Sequence, residues 1–128
     1  MSSLIVLMSD GAAADCQLGI ALTRTAPECQ VAFAGSREEV ETLRTPALFL
    51  LDLMLSRESA FDVLRWLRTE QRYRNTPVFV LGSRIVDRDI NEAYALGANS
   101  CLLKGSATEG LETIGQSIAT YASLMHPD

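Results

Sequence analysis

Five short apolar runs, none of which alternates cleanly between apolar and polar residues, constrain the fold of this chain more than any other feature. They occupy residues 4–8, 30–34, 47–51, 78–81 and 101–103. A strand that is apolar at successive positions buries both of its faces, which is typical of a parallel sheet covered by helices on both sides. The sequence therefore predicts five central strands.

Segments with helical periodicity lie between these runs and after the last one. Residues 12–25, 60–73, 87–96 and 108–124 are predicted helices. A further short helix is predicted after Ser36, because Ser36 and Glu39 form a capping-box pattern. The expected inward-facing residues are Leu18, Ala21 and Leu22, then Phe61, Leu64 and Leu67, then Ile90, Ala93 and Tyr94, and in the last helix Leu111, Ile114 and Ile118. Five strands alternating with five helices predict a three-layer α/β sandwich.

Size and composition restrict the classes of function. The 128 residues predict one domain, residues 1–128, with no room for a separate output domain. The net charge of -5 and the lack of a basic stripe argue against a nucleic-acid surface. The apolar run at 4–8 is too short for a signal peptide or a membrane span. Cys16, Cys29 and Cys101 are odd in number and widely spaced, which favours reduced thiols in a cytoplasmic protein.

Polar residues follow the predicted strands, where open parallel sheets collect their ligands. They are Ser9 and Asp10 after the first strand, Asp52 after the third, Gly82 and Ser83 after the fourth, and Lys104 after the fifth. Asp52 is the most informative, because a carboxylate ending a buried strand is costly in the core and suited to a nucleophile or ligand. The sequence has neither a glycine-rich phosphate loop nor a Gly-x-Ser-x-Gly elbow, which disfavours a Rossmann oxidoreductase and an α/β-hydrolase.

Several motifs together resemble the receiver domain of two-component response regulators, and the resemblance covers essentially the whole chain. The motifs are Leu50-Leu51-Asp52-Leu53-Met54-Leu55, Phe61-Asp62-Val63-Leu64-Arg65, Thr76-Pro77-Val78-Phe79-Val80-Leu81, Ala95-Leu96-Gly97-Ala98-Asn99-Ser100 and Leu102-Leu103-Lys104. The resemblance implies a flavodoxin-like (βα)5 sandwich with a parallel sheet of strand order 2-1-3-4-5.

The same resemblance implies a function and its residues. Asp52 would accept a phosphoryl group from a histidine kinase or a phosphotransfer protein, and Lys104 would contact the phosphate. Mg²⁺ would bind Asp10, Asp52 and the backbone carbonyl of Met54. The protein would signal to a downstream protein by direct contact, without acting as an enzyme and without a nucleic-acid or membrane partner. A homodimer through the fourth helix, fifth strand and fifth helix is a further expectation of the resemblance.

This sequence departs from the receiver pattern at the metal site and at the switch. Aligning the first strand places Ser9-Asp10 on the family's acidic pair, whereas aligning the first helix places Asp10-Gly11 there. One carboxylate is missing in either register, which predicts a weakened magnesium site. Gly82 occupies the position of the family's Thr or Ser hydroxyl. Ser83 is a weak substitute, because one residue along a strand turns the side chain to the opposite face.

Further departures leave three hypotheses about function. Cys101 replaces the family's aromatic residue, and Ser56 stands where a proline is usual. The chain is then a phosphoacceptor receiver, a phosphorylation-independent pseudo-receiver that binds a partner, or a small metal-dependent phosphohydrolase with Asp52 as nucleophile. Two structural alternatives remain open, in which Asp52 only forms an ion pair with Lys104 and Asp10 only caps the first helix.

Overall fold

Strands and helices alternate along the chain in a computed structural model, which describes residues 3–10, 13–25, 27, 29–103, 116, 118 and 120. The elements are β1 (Ser3–Met8), α1 (Ala13–Thr25), β2 (Cys29–Ala34), α2 (Arg37–Glu41), β3 (Leu48–Asp52), α3 (Ala60–Thr69), β4 (Val78–Gly82), α4 (Asp87–Ala95) and β5 (Ser100–Leu103). Gln116, Ile118 and Thr120 have helical backbone. The rest of the helix predicted at 108–124 lies outside the described residues, as do Leu111 and Ile114.

The sheet is parallel throughout and has the order β2-β1-β3-β4-β5, which confirms the predicted flavodoxin-like topology. Every residue of β1, β3 and β4 is buried, whereas the edge strands β2 and β5 are partly exposed. Burial on both faces explains why the central strands are apolar at successive positions.

Apolar side chains form two clusters, on opposite faces of the sheet. One cluster joins Ile5 and Leu7 of β1 to Leu18 and Leu22 of α1, and it includes Ile118. The other joins the alternate residues of β1 to α2, α3 and α4, and its members include Val6, Met8, Val40, Leu64, Leu67 and Ala93. The predicted inward residues of α1 and most of those of α3 are therefore confirmed as core.

The structure corrects the predicted end of α3. The helix ends at Thr69 rather than at residue 73, because Glu70 adopts an extended conformation with ψ 126°. Tyr73 then lies in a turn beyond the helix, where the residue is 2% exposed and its ring packs edge-on against Phe49 at 5.4 Å between centroids.

Two predicted details of the other helices also differ. Tyr94 of α4 was expected to face inward, and this is wrong, since the side chain is 49% exposed. The helix covers the sheet near its β5 edge, and Ala93 is its buried residue there. At α2, Ser36 Oγ accepts the amide of Glu39 at 3.3 Å as predicted, but the Glu39 carboxylate accepts the amide of Gly35 and not that of Ser36.

No helix within the described part of the chain is both long enough and apolar enough to cross a membrane.

The guanidinium of Arg68 joins the end of α3 to the loops that precede β4 and β5. Its Nε donates to the carbonyl of Gly97 at 2.9 Å, and Nη1 donates to that of Thr76 at 2.7 Å. Its Nη2 donates to Asn99 Oδ1 at 2.9 Å, and the same oxygen accepts the amide of Val78. These bonds satisfy backbone carbonyls that no strand or helix pairs.

We expect Arg68→Met to lower the free energy of unfolding by about 2–4 kcal/mol, because several partly buried acceptors lose a charged donor. Arg65→Met is the matched control, since Arg65 forms an exposed ion pair with Asp62 within α3, and its loss should cost about 0.5 kcal/mol or less. Urea unfolding monitored by circular dichroism measures both values. Equal losses in the two variants would contradict the role given to Arg68.

Candidate functional site

The register of the central strands places Asp52 at the carboxyl end of the sheet. Asp52 pairs with Leu81 of β4, and its side chain is 3% exposed. On the other side Met8 pairs with Leu51, so the register continued by one residue sets Ser9 level with Asp52. Ser9 is also buried, and its amide donates to the carbonyl of Ala34 at 3.0 Å. The ends of β1 and β3 thus meet as the strand pattern predicted.

The carboxylates of Asp10 and Asp52 both contact the loop between β3 and α3, residues 53–59. Asp52 Oδ1 accepts the amide of Met54 at 2.8 Å. Asp10 is exposed, and its Oδ2 accepts the amide of Ser56 at 2.8 Å. Because Met54 and Ser56 are two residues apart, the two carboxylates lie against the same short segment of backbone.

Two ion pairs tie the same loop to the start of α2. The Glu58 carboxylate accepts the amide of Arg37 at 2.8 Å and forms an ion pair with Arg37 Nε. Arg57 Nη1 lies 3.3 Å from Glu39 Oε1 in a more exposed pair. Sequence reasoning missed this link. Ser-Arg-Glu occurs at both residues 36–38 and 56–58, but this repeat does not indicate that the two segments are in contact.

The oxygen donors at this site suit a magnesium ion. Mg²⁺ is usually held by one or two carboxylates together with phosphate oxygens and water, and the carboxylates of Asp10 and Asp52 both contact the loop of residues 53–59. The Met54 carbonyl belongs to that loop as well. In the described part of the chain, no group of three or more His, Cys, Asp or Glu side chains is placed to hold a metal.

Gly82 follows Leu81 at the position where the receiver pattern has a hydroxyl, and the side chain of Ile85 lies against it. A Cβ built on Gly82 would lie 2.7 Å from Cγ1 of Ile85 and 3.2 Å from its Cδ1. Ile85 therefore packs into the space that a larger residue at position 82 would need. Ser83, the candidate substitute, is exposed in the bend that follows β4.

Cys101 lies on β5, partly buried against the cluster that includes Ala93 and Ala98. Burial raises the pKa of its thiol, and a hydrogen bond with Tyr94 partly opposes this shift. The thiol is therefore protonated at neutral pH, and Cys101 serves as a packing residue, as its apolar surroundings suggest. Lys104 lies outside the described residues, so its predicted contact with Asp52 stays a prediction.

Comparisons with known proteins show where this architecture recurs. No family model matches the sequence. The "Probable methanogenesis regulatory protein FilR2" of Methanothrix harundinacea is 34% identical over 76 residues, which are 59% of this chain and 49% of that protein. The chain thus spans about half the length of this curated relative.

Solved structures match over nearly the full chain. The phosphorylated cyanobacterial phytochrome response regulator RcpA has a TM-score of 0.85 and 24% identity, covering 99% of this chain and 98% of that one. The chain has the response regulator receiver fold. The Mn²⁺-bound form of the response regulator Rcp1 shares this fold, with a TM-score of 0.78 and 23% identity over 93% of each chain. In this fold Asp52 is the last residue of β3.

The contact between Gly82 and Ile85 predicts an energetic coupling between the two positions. We expect Gly82→Ser to destabilise the protein by about 1–3 kcal/mol, because the added side chain overpacks against Ile85. The same change made together with Ile85→Ala should cost about 1 kcal/mol less, since the obstructing atoms are gone. Denaturant unfolding of the two single variants and the double variant gives the coupling energy. An identical cost of Gly82→Ser in both backgrounds would show that the contact does not limit position 82.

Proposed function

We propose that this chain is a phosphoacceptor receiver that takes a phosphoryl group on Asp52 from a histidine kinase or a phosphotransfer protein. The observation that carries the proposal is the burial of Asp52 at the carboxyl end of β3, with one carboxylate oxygen bonded to the amide of Met54. The structure thereby keeps an ionisable side chain at the site where open parallel sheets perform their chemistry. Transfer moves phosphorus from the donor nitrogen to a carboxylate oxygen of Asp52, and the donor imidazole regains a proton.

The residues around Asp52 have distinct roles in this proposal. Asp10, Asp52 and the Met54 carbonyl would hold Mg²⁺, which when bound neutralises charge on the phosphoryl oxygens. The strand register supports Ser9-Asp10 as the acidic pair, because Ser9 lies level with Asp52. With a hydroxyl in place of the first carboxylate, the site carries one negative charge less, and cation affinity is lowered. Lys104 is proposed as the phosphate contact.

The protein acts as a signalling domain in this proposal, and any hydrolysis of the acyl phosphate is incidental to signalling. Its outputs are contacts with a downstream protein and a homodimer through α4, β5 and the last helix. Exposed apolar side chains on this surface support the dimer, namely Tyr94 of α4 at 49% exposure and Leu103 of β5 at 60%. We propose a cytoplasmic location, which matches the free thiols of Cys29 and Cys101.

A pseudo-receiver is the second candidate function, and the packing of Ile85 onto Gly82 favours it. Gly82 has no hydroxyl that could hydrogen-bond a phosphoryl group on Asp52. The β4–α4 loop therefore has no phosphate-dependent contact through position 82. A ligand shifts a conformational equilibrium only through contacts that differ between the two states. In this alternative the surface binds its partner in the same way with and without phosphate.

Labelling with a small phosphodonor distinguishes the two candidates. In the presence of acetyl phosphate and Mg²⁺, we expect the intact mass of the wild type to rise by one phosphoryl group, while Asp52→Asn stays unmodified. Ser83→Ala is the control at a nearby hydroxyl, and we expect it to be labelled like the wild type because the Ser83 side chain is exposed beyond β4. A folded wild type that shows no mass increase would support the pseudo-receiver and contradict the phosphoacceptor proposal.

A further inference from the structure

Strand β2 is an edge of the sheet, and β1 is its neighbour. The carbonyl of Ala34 accepts the amide of Ser9 at 3.0 Å, so Ala34 directs its backbone groups at β1. Successive residues of a strand direct their N–H and C=O groups to opposite sides, so those of Val31 and Phe33 point away from β1. Outward N–H and C=O groups of this kind are a template for a further strand.

The sequence of β2 lacks the devices with which proteins usually block an exposed sheet edge, namely charged side chains, proline and bulges. Residues 29–34 contain neither a charged residue nor a proline. The register with β1 runs without interruption from Cys29 opposite Ser3 to Ala34 opposite Met8, so no bulge twists the strand away. The edge is therefore suited to pairing.

An apolar groove lies between β2 and α1. Its volume is about 520 Å³, and it is lined by Gly19, Ile20, Thr23, Arg24, Val31 and Phe33. The ring of Phe33 lies over Gly19, since a Cβ built on Gly19 would be 2.6 Å from Cζ of Phe33. Phe33 is nevertheless 48% exposed, and Ile20 is 56% exposed. Large apolar side chains exposed along one groove are typical of a binding surface.

We propose that β2 pairs antiparallel with β2 of a second copy of this chain, about a twofold axis at Ala32, so that the two sheets become continuous. In this register Val31 lies opposite Phe33 of the second copy. Because both residues direct their backbone groups outward, they form a hydrogen-bonded pair, and the axis repeats it. Phe33 of the second copy then enters the groove beside Val31. This interface goes beyond the proposed function, since it lies at the opposite edge of the sheet from α4 and β5 and does not involve Asp52.

Charges on the other face of β2 favour a second copy as the partner. Near the amino end of the strand, Arg44 Nη2 donates to Gln30 Oε1 at 3.0 Å. Beyond the carboxyl end, the Glu39 carboxylate accepts the amide of the residue that follows Ala34 and pairs with Arg57. In the proposed register Gln30 lies opposite Ala34 of the second copy, which brings the exposed Arg44 toward Glu39 of that copy. A twofold interface requires this kind of self-complementarity.

Disulfide cross-linking of Ala32→Cys tests the register. The two copies of residue 32 form a non-hydrogen-bonded pair at the axis, with Cα atoms about 4.5 Å apart, which a disulfide can bridge. Gln30→Cys is the matched control on the same face of β2, because the two copies of residue 30 lie about 14 Å apart in this register. With oxidised glutathione as the oxidant, Ala32→Cys should become mostly covalent dimer by intact mass, whereas Gln30→Cys and the wild type should stay monomeric. Equal dimer yields for the two variants would overturn the proposal.

A charge in the groove tests which edge of the sheet carries the contact. Added to Ala32→Cys, Phe33→Lys should abolish most of the cross-link, because lysine on an edge strand opposes pairing. Leu103→Lys is the matched control at the other edge, since Leu103 of β5 is 60% exposed, and it should leave the yield unchanged. Equal yields in these two double variants would contradict the assignment to β2.

Hydrogen exchange of the wild type, measured by NMR, keeps the proposal testable if the variants do not fold. The amides of Val31 and Phe33 should exchange more slowly as the protein concentration is raised, because the second copy pairs them. The amides of Gln30 and Ala32 face β1 and should exchange slowly at every concentration. Exchange at Val31 and Phe33 that is independent of concentration would rule out a second copy at this edge, in favour of a strand from a different protein.

Discussion

The backbone ladder that joins β1, β3 and β4 is the constraint on which the rest of the structure depends. Parallel pairing aligns the carboxyl ends of these strands, so Ser9 and Asp52 meet at one level and Leu81 lies beside them. Helices on both faces bury the strands completely, and this burial keeps Asp52 at 3% exposure. A carboxylate in such a place must have hydrogen-bond partners, and the amide of Met54 provides one of them.

The loops around Asp52 differ in how they are held. Backbone amides of the β3–α3 loop donate to the carboxylates of Asp10 and Asp52. Ion pairs between charged side chains join the same loop to α2. The β4–α4 loop is instead closed over Gly82 by the side chain of Ile85. The aliphatic side chain of Ile85 offers no hydrogen-bond donor to a phosphoryl group, so this contact does not change when Asp52 is phosphorylated. Asp52, the proposed phosphoacceptor, therefore lies beside a loop whose polar contacts are with the α2 side of the domain.

Much of the fold was predictable because a strand that is buried on both faces is apolar at successive positions of the sequence. Continuous apolar runs predicted every end of the five strands to within one residue, and the residues after the strands included Asp10 and Asp52. Tyr94 was mispredicted because helical spacing alone does not show how narrow the contact of α4 with the sheet is. The end of α3 was mispredicted because Tyr73 is apolar enough to continue the pattern, yet it packs against Phe49 from a turn.

The site was less predictable than the fold. The donor to Asp10 is a backbone amide, which carries no signature in residue type. The ion pair of Arg37 with Glu58 spans 21 residues, and local sequence patterns describe neighbours only three or four residues apart. The repeated Ser-Arg-Glu segments indicate that the two regions are alike, but only the fold brings them into contact.

Amide NMR spectra of the isotope-labelled protein, recorded before and after addition of Mg²⁺ and acetyl phosphate, test the central claim most directly. The account predicts that the largest chemical-shift changes occur at residues 53–59 and 36–41, around the carboxylates and along their links to α2. Residues 83–86 should change little, because Ile85 holds that loop without a phosphate contact. Large changes at 83–86 with none at 36–41 would contradict the account.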